Sequence, residues 1–409
     1  MSMEVVRQRC AGADVHKKTV VVHVITPQAR ETRTFGTMTQ DLLELVQWLE
    51  SHGVVDVAME STGVYWKPLY NILEVAELRP VVANARHIKA VPGRKTDVCD
   101  AEWIAQLHRH GLLPMSFIPD RGQRELRELV RYRRSLVQER AREASRIQKI
   151  LEGANIKLGS VASNVLGVSG LQMLRKIIQG VDDPHELAGL ARGRLRNKHD
   201  ELVRALRGVI GPHQRLLLAE QLTHIEDLDQ RIDRISQEVS RRMDPFAAAL
   251  EALDTIPGVG IRTAEDVLAE IGTDMSRFPS HRHLASWAKI CPGNNESAGK
   301  RKSGHTGYGN KWLRSALTEA AKAASRSKNT YLAAQYHHLA PRIGKNKAAI
   351  AVGHSILTIA YHLLRDGGSY QDLGPTYLDE RSRESLKRTL VKRLAKLDFD
   401  ITISDRRAA

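Results

Sequence analysis

At 409 residues, with 42% apolar side chains and 5% aromatic ones, the chain has material for two or three domains whose cores are mainly Leu, Val, Ile and Ala. Lysine and arginine number 62 against 47 acidic residues, a formal net charge of +15. That excess favours nucleic acid as partner, because cationic surfaces release counterions from phosphates. No run of 18 or more apolar residues marks a membrane span, no signal peptide is read at the N-terminus, and Cys10, Cys99 and Cys291 lack zinc-site spacing, so a reducing cytoplasmic setting is expected.

In chain order, residues 9–15, 19–26 and 31–36 read as three short strands, the middle one densely β-branched. A helix over 40–52 carries Leu42, Leu45, Val46 and Leu49 at helical spacing. A strand over 54–60, a helix over 65–77 and a strand over 80–84 follow, and then a helix over 97–110 with Asp97 near its start. Three consecutive strands followed by alternating helix and strand predict an α/β RNase H-like (RuvC-like) domain over 1–120. Residues 121–245 predict a helical, coiled-coil linker: charge-laced helices over 122–152 and 214–243, able to pair with each other or with a second chain. A mainly α domain over 246–370 opens on the turn Ile256-Pro-Gly258-Val-Gly260 and contains a loop over 291–310, a helix over 311–327, a cationic loop over 344–347 and an apolar helix over 348–364. Residues 371–409 read as a charged tail, and His337, His338 and His354 as structural.

Three constellations carry chemistry. Asp14 and Glu60 stand at strand ends, and Asp97 and Asp100 lie three apart at a helix start, where both can reach one site. Such carboxylates can hold two Mg²⁺ ions about 4 Å apart, the arrangement that serves in-line displacement at a phosphodiester. The alternative is a helix cap with a surface charge. Gly258 and Gly260 resemble a helix-hairpin-helix turn, whose glycines let backbone N–H groups approach DNA phosphates; an ordinary tight turn between packed helices is the other reading. Ser297 lies in a Gly-rich loop with Lys300, Arg301, Lys302, Lys311 and Arg314 and no acidic residue from 297 to 314. It could attack phosphorus, or simply touch a phosphate. These residues leave open a serine recombinase, a hydrolytic nuclease of the RuvC type in which water attacks, and a non-catalytic nucleic-acid-binding protein.

The segments Gly12-Ala-Asp14-Val-His-Lys, Met59-Glu60-Ser-Thr-Gly63-Val-Tyr65, Lys95-Thr-Asp97-Val-Cys-Asp100-Ala, Ile256-Pro-Gly-Val-Gly260 and Cys291-Pro-Gly through Gly309-Asn-Lys-Trp-Leu-Arg314 resemble the DEDD transposases of the insertion sequence 110 (IS110) family over roughly residues 10–365. That resemblance implies a RuvC-like domain, a coiled-coil linker and a transposase domain bearing a catalytic serine. By it, Asp14, Glu60, Asp97 and Asp100 would bind Mg²⁺ and Ser297 would form a phosphoserine link to DNA. Also implied are a noncoding bridge RNA that pairs donor and target DNA, assembly as a dimer or dimer of dimers, and a cytoplasmic, nucleoid-associated protein of bacterial type.

Overall fold

The computed structural model describes residues 4–61, 63–84, 97–291, 295–297, 300–303, 306–307 and 309–395, and of 97–99, 295–297, 300–303, 382, 384–386, 393 and 395 the backbone alone. The chain divides into two compact units, Met1–Pro119 and Asp120–Ala409.

The first unit holds β1 (Cys10–Val15), β2 (Thr19–Ile25), β3 (Arg30–Gly36), α1 (Thr39–Ser51), β4 (Asp56–Glu60), α2 (Trp66–Val75), β5 (Arg79–Ala83) and α3 (Asp97–Arg109). The sheet order is β3-β2-β1-β4-β5. The first three strands are antiparallel, and β1, β4 and β5 run parallel. This mixed sheet is consistent with the RNase H-like domain expected from the sequence. Strand alternation sorts β1 between two layers. Ala11, Ala13 and Val15 join Val57 and Met59 and the α1 stripe Leu42, Leu45, Val46 and Leu49 in one core. Cys10 packs with Ala105, and Ala58 with Ile104 and Leu107 of α3, on the opposite face. Gly12 is required there, since a Cβ would lie 2.3 Å from the Ala105 nitrogen and 2.4 Å from the Ala101 oxygen. α3 runs antiparallel to β1: the Arg7 N–H donates to the Arg109 carbonyl at 3.0 Å and the Cys10 thiol to that of Ala105 at 3.7 Å. β3, an edge strand, exposes Arg30 to Thr34, which guards the edge against pairing with another chain.

In the second unit, α4 (Arg121–Gly153) and α9 (Pro212–Met243) pair antiparallel within one chain. Their order of contacts shows it: Arg242 meets Glu125 at 3.0 Å, Arg140 meets Asp229, and His224 meets Glu143 at 3.5 Å. Between them, α5 (Leu158–Val161), α6 (Val168–Ile178), α7 (Pro184–Gly189) and α8 (His199–Ala205) form a cluster whose Leu158, Met173, Leu174, Ile177, Leu187 and Leu202 share one core with Ile147 and Leu151 of α4 and Leu218 and Ile225 of α9. The expected linker is thus more than two helices; turn-rich joints concealed four short ones.

The rest comprises α10 (Ala247–Asp254), α11 (Ile261–Ile271), α12 (His281–Ala288), the hairpin β6 (Asn295–Ser297) and β7 (Lys300–Ser303), α13 (Lys311–Ala324), α14 (Tyr331–Ile343), α15 (Lys345–Asp366) and α16 (Tyr377–Ala395). Three expectations are corrected here. The loop over 291–310 contains a hairpin. The expected cationic loop over 344–347 is the start of α15, because Gly344 with φ +86° ends α14 and the next residue resumes a helix. The expected tail contains α16. α15 is long and apolar enough to cross a membrane by composition, but Ala348, Val352, Ile356, Leu357 and Tyr361 are buried in this unit, as in the core helix of a globular domain.

Two consequences can be measured by urea denaturation. Gly12→Val should destabilise the first unit by about 3 kcal/mol or more, the upper range of overpacking, because backbone rather than a flexible side chain opposes the new Cβ. His108 is 2% exposed, and its Nε2 has no hydrogen-bond partner among the described residues. Burial, with the Arg7 charge adding to it, pushes its pKa down to about 4 from the ordinary 6.5. The unfolded chain therefore takes up the proton first, so stability present above pH 6.5 is lost as pH falls towards 4, by roughly 3 kcal/mol over the whole span. His108→Gln should flatten that part of the profile.

Candidate active site

In the first unit, the placement of the acidic residues begins with register. Ala13 pairs with Met59 across the parallel β1–β4 ladder, so the next residues, Asp14 and Glu60, stand side by side at the C-terminal strand ends. Both fall on the face covered by α3, because Ala13 and Met59 occupy the other core. The antiparallel course of α3 brings its first turn towards the same strand ends. Asp97 opens that turn, with a side chain outside the described residues, and half-buried Asp100 stands one turn before Ile104. Asp14 is buried, with Oδ2 3.0 Å from Nε2 of His16, a neighbour that sequence reasoning did not assign. Among the described residues, no three His, Cys, Asp or Glu side chains form a group that could hold a metal ion. The side chains of the expected residues Asp14, Glu60 and Asp100 are all carboxylates, the donor type that suits a hard divalent cation such as Mg²⁺ rather than zinc.

In the second unit, Ser297 is the last residue of β6 and pairs in register with Lys300 of β7. The side chains of Ser297, Lys300, Arg301 and Lys302 lie outside the described residues. Lys311 is exposed, with Nζ 5.0 Å from the Trp312 ring centroid. Arg314 donates through Nη1 to the Thr306 hydroxyl at 3.3 Å and the Gly307 carbonyl at 3.4 Å, so it braces the return arm of the serine segment. Gly309 continues the brace, since a Cβ there would meet Lys289 Cβ at 2.5 Å.

The Gly258–Gly260 turn divides between its two readings. Gly258 has φ +85°, and a Cβ would lie 2.4 Å from both the Ala320 oxygen and the Ala324 nitrogen of α13, so close helix packing requires it. Gly260 is exposed, with open space where a Cβ would stand, and it precedes α11 without a side-chain cap. Its side of the turn keeps the N–H groups at a helix start that a phosphate could meet.

Sequence reasoning missed the device that joins α4, α11 and α13. Arg131 grips Glu270 through two bonds of 2.7 and 2.8 Å, with Arg127 at 3.3 Å. Arg133 meets Glu265 at 2.5 Å, and Arg134 meets Asp266 at 2.5 Å and Glu319 at 2.5 Å. Burial pushes the Arg127 guanidinium down to about 10, against the opposing pull of Glu270. Burial likewise raises the Asp266 carboxyl, although Arg134 and Arg133 draw it the other way. The available signal was spacing: arginines at 127, 131 and 134 match carboxylates at 266 and 270.

Two family models match the chain: a transposase model, DEDD_Tnp_IS110, over residues 11–156, and the Transposase IS116/IS110/IS902 family over residues 250–338. The first spans the sheet and α3; the second spans the Gly258 turn and the serine hairpin. The pilin gene-inverting protein of Moraxella lacunata is 25% identical over 373 residues, 87% of this chain and 95% of that protein. Its namesake from Moraxella bovis is 24% identical over the same shares. An uncharacterized 43.6 kDa protein of insertion element IS110 from Streptomyces coelicolor is 26% identical over 326 residues, 72% of this chain and 77% of that protein.

Arg133 and Glu265, with side chains 5% and 7% exposed, give a direct test of the buried ladder. Arg133→Met removes the nearer cation from buried Glu265, leaving only Arg262 at 3.7 Å, and should cost about 3 kcal/mol in urea denaturation of the second unit. A loss below 1 kcal/mol would show that the pair is not structurally demanding.

Proposed function

We propose, from the premise that this chain belongs to the IS110 family of transposases, that it cuts and exchanges DNA strands of a mobile insertion sequence through a serine ester. As a transposase or recombinase it acts on DNA. The observation that carries the finer reading is that Asp14 and Glu60 directly follow the paired Ala13 and Met59 at the strand ends beneath α3, in a chain that also bears a basic hairpin ending β6 at Ser297.

In this reading, Ser297 Oγ attacks phosphorus and loses its proton as the new O–P bond forms. One deoxyribose hydroxyl leaves, and a hydroxyl of another strand later reverses the step. One phosphate ester replaces another, so rejoining needs no external energy. Lys300, Arg301 and Lys302 supply positive charge where the phosphorane oxygens gain negative charge. Lys311 and the exposed Gly260 end of the α11 turn engage phosphates that position the strand. Arg314 contributes by bracing residues 306–307. Asp14, Glu60, Asp97 and Asp100 are the residues that would hold Mg²⁺, which when bound neutralises phosphate charge and lowers the cost of deprotonating an oxygen nucleophile. His16 fixes the orientation of Asp14 through its 3.0 Å contact.

The net charge of +15 supports a second polyanion, a noncoding bridge RNA that would pair with donor and target DNA while the protein reads backbone. The name of the Moraxella relatives describes inversion of a gene, which the same exchange chemistry accomplishes when both sites lie on one molecule. Assembly as a dimer or dimer of dimers in the cytoplasm completes the proposal.

The test incubates the full-length protein with Mg²⁺, DNA spanning an element end, and RNA transcribed from the flanking noncoding segment. A denaturant-resistant protein–DNA adduct should form. Ser297→Ala should abolish it, and Asp14→Asn should reduce strand cleavage by roughly a thousandfold or more with DNA binding retained. Cleavage that survives in Ser297→Ala would identify water as the nucleophile; binding without cleavage in the wild-type protein would leave a nucleic-acid-binding protein only.

A further inference from the structure

Asn310 does two things at once. Its Oδ1 accepts from the N–H groups of Trp312 and Leu313, both at 3.1 Å, and so caps α13. Its Nδ2 donates to Glu270 Oε2 at 2.6 Å. Capping alone would be served as well by Asp or Ser. Aspartate would set a carboxylate against Glu270, however, and serine is too short to reach it. An amide satisfies both demands.

Glu270 is 1% exposed, and its carboxylate is fixed by Arg131 and Arg127 before Asn310 arrives. Arg127 also donates through Nη2 to the Glu270 carbonyl at 2.5 Å. The acceptor offered to Asn310 is therefore immobile. On the adjoining residues, Gly309 lies against Lys289 and the Ala288 carbonyl at the end of α12, and Arg314 holds Thr306 and Gly307. The segment that carries β6 and β7 thus returns into a base whose last link is one hydrogen bond between an α11 carboxylate and the residue that starts α13.

We propose that Glu270 and Asn310 are a positioning pair for the Ser297 hairpin: their hydrogen bond sets the base from which β6 and β7 present the serine. This rests on Ser297 being the nucleophile. Neither residue touches the reacting atoms. A shift of about 1 Å at the base is enough to slow an in-line attack by up to a hundredfold while leaving phosphate contacts formed.

The test uses the full-length protein with DNA, RNA and Mg²⁺, and reads three quantities: rate of strand cleavage, DNA affinity, and hydrogen exchange of backbone amides over 295–303. Asn310→Ser keeps the cap and removes the donor. Asn310→Asp keeps the cap and opposes Glu270. Each should slow cleavage about ten- to a hundredfold and raise exchange in the hairpin, with affinity within about threefold of wild type. Arg131 and Arg127 occupy both Glu270 oxygens, so Glu270 is left unchanged, and hydrogen exchange in the hairpin is the readout that a capping role alone would not move. Wild-type cleavage in both single variants, in a protein that Ser297→Ala inactivates, would overturn the proposal. So would slowed cleavage in either variant with hydrogen exchange over 295–303 unchanged from wild type. If Ser297→Ala still cleaves, the serine reading is what fails, and the exchange data alone then report whether the pair holds the hairpin.

Discussion

An arginine cannot be buried without a carboxylate to meet it, and α4 turns a row of four towards its neighbours. Arg127, Arg131, Arg133 and Arg134 take up Glu265, Asp266 and Glu270 of α11, with Glu319 of α13 completing the set. Such pairs contribute little net stability over apolar packing, yet any other register would leave charges stranded at several kcal/mol each. The ladder therefore acts mainly on specificity. It permits one alignment of α4, α11 and α13, and with it one position for the start of α13 and the segment that returns into it. Gly258 reinforces that choice by sterics, since only a residue without a side chain lets the turn before α11 lie against Ala320 and Ala324.

The same pairing changes how the net charge is understood. Arginines of the long helices look, in a linear sequence, like a cationic face for nucleic acid. Several are spent internally: the four of the ladder, Arg140 on Asp229, and Arg242 on Glu125 and Glu238. The excess that faces a polyanion must come from other surfaces. α16 exposes Arg381, Arg383, Lys387, Arg388 and Lys392, which places basic charge on a helix that the sequence suggested was only a tail.

What could be read in advance follows from range. Strands β1 to β5 and the position of Asp14 and Glu60 were legible because a period of two and a strand end are local properties, and α3 because Ala101, Ile104 and Ala105 recur at helical spacing. α16 was not, since its charged run offers no apolar stripe, and α5 to α8 were hidden by short lengths and intervening turns. Glycine gave an ambiguous signal: Gly258 and Gly260 satisfy one motif, but close packing explains the first and exposure marks the second. The spacing of Glu270 with Asp266 offered a signal, but its link to Asn310 was illegible for a different reason. The bonds that define them join residues 139 and 40 positions apart, and no local pattern separates a capping asparagine from one that also holds a buried carboxylate.

The proposed acidic and serine groups lie in different units and are held by different forces, and salt tells those forces apart. The strand positions of Asp14 and Glu60 are set by ladder register, which involves no charge, with His16 Nε2 3.0 Å from Asp14 Oδ2. The start of α13 rests on a network of ion pairs whose central anion, Glu270, is almost fully buried and meets its partner far inside the distance over which dissolved ions screen. Contacts to phosphate are the opposite case, exposed and formed by displacing counterions, so they weaken steeply as salt rises. In the proposed scheme the positioning charges are buried and the binding charges stand on the surface, so nucleic acid would be released without loosening the groups proposed to act on it.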